Sequence, residues 1–160
     1  MKLRSLSVII CFITVLLCGC GTGGTGNSKC RPITAGFTAD TDIVYGSMNY
    51  SATLDLTDAN DFKFTVTSPK LMSGLEIKVS AGETRMTFGG LDCTGIYDAS
   101  AVSKLSDVLK TIEAAGETEF VDEKCNYGDF TVSVNSNGFI DQIDFTDAGL
   151  KINLSNQKVK

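Results

Sequence analysis

From Ile33 onward, apolar and polar residues alternate with a period of two along most of the chain. That is the pattern of strands with one buried face. Ile33, Ala35, Phe37 and Ala39 share one face, and Met48, Tyr50, Ala52, Leu54 and Leu56 make the cleanest strand. Thr57 to Asp61 is turn chemistry, because Asp and Asn side chains bond their own backbone. Phe62, Phe64 and Val66 follow, and Ser68-Pro69 ends that strand. Leu75, Ile77 and Val79 come next, then a turn at Ala81-Gly82, then Met86 and Phe88. After a central break the pattern resumes with Phe130, Val132 and Val134, a hairpin signal at Asn137-Gly138, then Ile143 and Phe145. Leu150, Ile152 and Leu154 close the chain. Such short connections predict an antiparallel meander buried on one face.

The central break reads as one helix. Asp98 is a candidate cap, and Val102, Leu105, Val108, Leu109 and Ile112 recur at helical spacing up to Ala114-Ala115-Gly116. About 17 residues of helix span roughly 26 Å, enough to cross the face of a sheet. Its apolar stripe needs a cover, and the sheet's apolar face supplies it. The expected fold is α+β and mostly β: a strongly curved antiparallel sheet, a half-open barrel, wrapped round one inserted helix over residues 33–157.

The first 32 residues stand apart. Lys2 and Arg4 precede an apolar run, Leu6 to Leu17, that is shorter than the ~20 residues of a membrane-spanning helix. The run ends in Leu16-Leu17-Cys18-Gly19-Cys20, which resembles the bacterial lipobox. Residues 1–19 then read as a lipoprotein signal peptide and Cys20 as the lipidated residue, carrying acyl chains such as palmitate. Residues 20–32 become a lipidated, Gly-rich tether. By letters, residues 21–26 match the dinucleotide fingerprint G-x-G-x-x-G. They lack the preceding strand and the following helix which that chemistry requires. As a flexible coil the tether spans about 20 Å.

Composition narrows the function. The chain of 160 residues has 14 Lys and Arg, 19 Asp and Glu, and no His. A formal charge of −5 becomes −7 once Lys2 and Arg4 are removed. This argues against nucleic acid as a partner. Two or three acyl chains, at roughly 0.8 kcal/mol per buried methylene, hold an acidic domain at a membrane without a basic patch. Without His the commonest general base and metal ligand are missing. No cofactor, metal site or catalytic residue is expected, and the acidic pairs along the chain read as solvated turn residues.

With Cys20 lipidated, Cys30, Cys93 and Cys125 remain. Cys93 and Cys125 flank the helix, so a bridge between them would staple the insertion, at roughly 3–4 kcal/mol for a loop of about 33 residues. Cys30 pairing with one of the others, or three free thiols, are the alternatives.

A lipidated start, five or so meandering strands, a helical insertion and a few closing strands together resemble the LolA/LolB-type lipoprotein-carrier superfamily. The resemblance lies in Met48-Asn-Tyr-Ser-Ala-Thr-Leu-Asp-Leu-Thr57 followed by Asp61-Phe-Lys-Phe-Thr-Val66. It continues in the closing Asn137-Gly-Phe-Ile-Asp-Gln-Ile-Asp-Phe145 and Gly149-Leu-Lys-Ile-Asn-Leu154. It implies acyl chains held between a concave sheet and its helix.

The expected protein is a membrane-anchored lipoprotein on the extracytoplasmic face of the cell envelope. It binds a lipid or other apolar ligand without catalysis, with Phe62, Phe64, Met86, Phe88, Leu105 and Leu109 as candidate contacts. The alternative is a surface-tethered interaction module whose partner is an envelope protein and whose apolar residues fill its own core.

Overall fold

The computed structural model describes residues 27–92 and 101–160. Cys20 with its lipobox, most of the Gly-rich tether, Cys93 and the cap assigned to Asp98 lie outside the described residues.

Two meanders make the sheet. The first runs β2 (Phe37–Tyr45), β3 (Met48–Asp58), β4 (Asp61–Ser68), β5 (Glu76–Ser80), β6 (Glu83–Phe88) and β7 (Leu91–Asp92). The second follows the helix α1 (Ala101–Ala115) and runs β9 (Lys124–Asn126), β10 (Thr131–Val134), β11 (Ile140–Phe145) and β12 (Leu150–Val159). Outside them, β1 (Ser28–Cys30) pairs antiparallel with β8 (Thr118–Phe120). The meanders join where the last strand meets the first long one: β12 lies antiparallel on β2, from Leu150 opposite Tyr45 to Val159 opposite Phe37. The result is one open ten-stranded antiparallel sheet ordered β7-β6-β5-β4-β3-β2-β12-β11-β10-β9.

Alternation decides which face is buried. Phe37, Ala39, Thr41 and Ile43 point inward from β2, and Ala52, Leu54 and Leu56 from β3. Phe62, Phe64 and Val66 do so from β4, while Ile143, Phe145, Leu150, Ile152 and Leu154 complete the face. The helix lays Val102, Leu105, Val108, Leu109 and Ile112 on it, each no more than 4% exposed. These side chains form a single core with the sheet residues. The helix-on-sheet packing expected from the two periodicities is therefore present.

The helix ends as its sequence dictates. Gly116 adopts φ +68°, and its N–H donates to the Ile112 carbonyl at 3.1 Å. This left-handed cap suits glycine because it has no Cβ to clash.

Several local expectations change. The first long strand begins at Phe37, not Ile33; Ile33 makes a single parallel bridge to Phe139. Ladder pairing carries Asp58 and Asp61 into β3 and β4, so the turn shrinks to Ala59-Asn60, with the Asn60 N–H donating to Asp58 Oδ1. Residues 28–30 form β1 where coil was expected, because β8 offers them a partner. Asp40 and Asp42 lie on the outward face of β2 rather than in a turn, accepting hydrogen bonds from Asn156 and Ser51.

Candidate functional site

The inward face is not packed along its whole length. Between the first meander and the N-terminal part of α1 lies an apolar cavity of about 300 Å³. The ladder builds most of its wall in cross-strand rows. Ile43 faces Tyr50, Tyr45 faces Met48, and Ala52 faces Val66. Phe64 faces Ile77, which in turn faces Met86. Met72 and Leu75 come from the β4–β5 connection, Val102 and Lys104 from the helix, and Leu150 from β12.

Ala52 helps to explain why space remains. It is 3% exposed on the inward face, in a row where its neighbours Tyr50 and Leu54 are large. A methyl group there leaves room that a branched side chain would fill. Tyr50 keeps its hydroxyl satisfied by donating to Met48 Sδ at 3.0 Å. The wall is therefore apolar with two tyrosine hydroxyls, and Lys104 is the one charged side chain among its described residues. A volume of this order lies at the small end of the range for small-molecule sites.

The candidate contacts divide. Phe64 and Met86 line the cavity. Leu105 and Leu109 are each 1% exposed in the solid part of the core and do not line it. Phe62 is also core, edge-on to Phe64 at 6.0 Å, and borders a polar surface hollow with Asp55, Lys63 and Lys78. Phe88 stands exposed at the tip of β6. The physical reason is register: the cavity sits toward the end of the sheet where β2 turns into β3, while Phe62, Leu105 and Leu109 lie deeper in the core.

That end of the sheet has a further property. The β2–β3, β4–β5 and β6–β7 connections all fall there, because successive antiparallel strands turn alternately at the two ends. Their tips carry Tyr45 and Met48, Leu71, and Phe88, all exposed, Leu71 at 87%. The chain begins its described course at the opposite end. A Cβ at Gly138, in the β10–β11 turn, would lie 3.9 Å from Cys30 Sγ, and Phe145, at the far end of β11, pairs toward Tyr45 through Leu150. At ~3.3 Å per residue, the length of β11 separates the two ends by about 20 Å.

On the far side of Lys104 a second hollow is lined by Asp107, Thr111, Asp129, Phe130, Phe145 and Asp147. Lys104 Nζ sits 5.2 Å from the centre of the Phe145 ring. Among the described residues it makes no ion pair.

The cysteines are placed in part. Cys30 and Cys125 are not bonded to one another and are half-buried at the core's margin. They lie near Tyr127, whose hydroxyl is 3.1 Å from Thr118 Oγ1. Burial pushes the Tyr127 phenol above its usual value; the Thr118 bond opposes this, and the two thiols add to it. The pairing expected between Cys93 and Cys125 involves a residue outside the described ones.

No family model, curated protein or solved structure matches this chain. The described fold and site define a mostly β protein of one large open antiparallel sheet with a separate two-stranded ribbon, one α-helix packed on the large sheet and an apolar cavity between them.

Proposed function

We propose that this protein is a membrane-anchored lipoprotein of the extracytoplasmic face that binds a lipid or other apolar ligand between its sheet and its helix, without catalysis. The observation that supports this best is the cavity itself: about 300 Å³, walled by aliphatic, Met and aromatic side chains. Cavities lined this way bind apolar molecules because water gains little from entering them. The exposed apolar tips around the same end supply a second support, since a ligand leaving a bilayer for the cavity would pass over them. The same reading takes the sheet to curl about α1 as a half-open barrel, in the manner of the LolA/LolB-type carriers. Its support is that the buried stripe of α1 shares one core with inward residues drawn from β2 through β5 and from β10 through β12.

The test is native mass spectrometry of a fragment starting at Ser28, before and after incubation with membrane lipids. The expected result is a one-to-one adduct that Met86→Trp, which fills the cavity, abolishes while the fold persists. A folded fragment that takes up no lipid would overturn the reading.

The exposed tips favour a second reading, in which Tyr45, Met48, Leu71 and Phe88 meet an envelope protein. Under that reading Leu71→Asp abolishes partner capture while Met86→Trp leaves it intact.

A further inference from the structure

Lys104 is out of place in the wall it belongs to. The other described lining residues are apolar side chains or tyrosines, and none is acidic. Lys104 is half-buried where the cavity meets the hollow beyond it, and an ammonium there is best stabilised by an opposite charge or a strong hydrogen-bond acceptor nearby. Here its described contact is the Phe145 ring at 5.2 Å, a partial compensation through the ring's negative face. Asp107, Asp129 and Asp147 share the hollow beyond it, yet none comes within ion-pair distance of Nζ.

We infer that the cavity takes the chain of a single-chain amphiphile carrying one negative charge, a carboxylate or a phosphodiester, and that Lys104 receives that head group. The inference rests on the apolar-ligand reading above and adds to it the class of head group. A ligand anion at the mouth gives Nζ the charge-assisted partner that the described residues leave open. The size agrees: at ~30 Å³ per group, about that of a water molecule in the liquid, the cavity holds roughly ten chain carbons. One charge is preferred over two. The cost of stripping water from a head group rises roughly with the square of its charge, whereas its attraction to a single ammonium rises only in proportion, which disfavours a dianionic phosphate monoester more than a monoanion. Neutral alcohols and esters can accept a hydrogen bond from Lys104 but bring it no counter-charge.

The test uses the full chain in phosphatidylcholine vesicles and photoreactive alkyl probes of matched length: a fatty acid, the corresponding alcohol, a lysophosphatidylglycerol and a lysophosphatidic acid. Labelled peptides are mapped by mass spectrometry. The expected result is labelling on the segments between Tyr45 and Met86, about tenfold stronger for the acid and the phosphodiester than for the alcohol. The phosphate monoester should label less than the phosphodiester. Lys104→Gln is expected to erase the preference for acid over alcohol while the alcohol's own labelling persists, and Lys104→Arg to keep the preference. Equal labelling by acid and alcohol in the unaltered chain, or a preference unchanged in Lys104→Gln, overturns the head-group assignment and leaves the apolar-ligand reading standing. Labelling by no probe within these segments overturns both.

Discussion

Ser106 Oγ on the helix donates a 2.7 Å hydrogen bond to the backbone carbonyl of Ala59 in the β3–β4 turn. Both residues are buried, at 8% and 1% exposure. The bond fixes where α1 lies along the sheet, and with it how much of the inward face stays uncovered as cavity. Ser106→Ala would leave that carbonyl buried and unmet. A loss of about 1–2 kcal/mol is expected in urea unfolding. A midpoint identical to the unaltered protein would show that the bond contributes nothing.

Thr41 gives the opposite sign. Its Oγ1 is buried with no hydrogen-bond partner among the described residues, on the inward face between Ala39 and Ile43. Thr41→Val replaces the hydroxyl with a methyl of similar size and removes a desolvation cost. Thermal unfolding should shift upward, by about 1 kcal/mol of added stability. A destabilised variant would mean that the hydroxyl has a partner in solution.

Leu105 is 1% exposed at the middle of the helix stripe. Leu105→Asp places an unpaired carboxylate there and is expected to abolish the folded state, whereas Leu105→Ala should cost about 2–5 kcal/mol and leave a cooperative transition. Circular dichroism distinguishes the two. A folded Leu105→Asp protein would contradict the packing of α1 on the sheet.

Gly116 at φ +68° meets nothing within 4 Å where a Cβ would stand. The cost of Gly116→Ala is therefore backbone strain alone, about 1 kcal/mol. Gly116→Asn, which tolerates the left-handed region better, should lose less. Equal losses in the two would point away from strain.

Tyr127 predicts an alkaline dependence. Burial raises its folded pKa above the unfolded 10.0, so the unfolded chain releases this proton first. The stability it contributes is complete below pH 10.0 and is lost as pH rises through the higher folded value. Tyr127→Phe should flatten the fall in stability above pH 10. An unchanged slope in the variant would place the effect elsewhere.

The strands and helix were legible because their signals are local. Alternation from Met48 to Leu56 and from Phe62 to Val66, and the Val102–Ile112 stripe, each state which face is buried without reference to anything distant. Short strands were not legible: β8 and β9 span three residues each, too few for a period to show. Of the cavity, sequence pattern found Phe64 and Met86, which alternate inward on β4 and β6. It also selected Phe62, Leu105 and Leu109, since inward-facing apolar residues look alike whether they line a void or fill one. Lys104 carried no signal at all, lying at the edge of the stripe like any solvated lysine.

Period alone therefore determined the strands, the helix and the buried face of each. Tertiary structure decided how the two meanders join, through Leu150 against Tyr45 and Val159 against Phe37, more than 100 residues apart. It also decided where the helix stops short of covering the sheet. Both depend on contacts between residues far apart in the chain, whose energies no local pattern encodes, and the cavity with Lys104 on its wall exists only as their consequence.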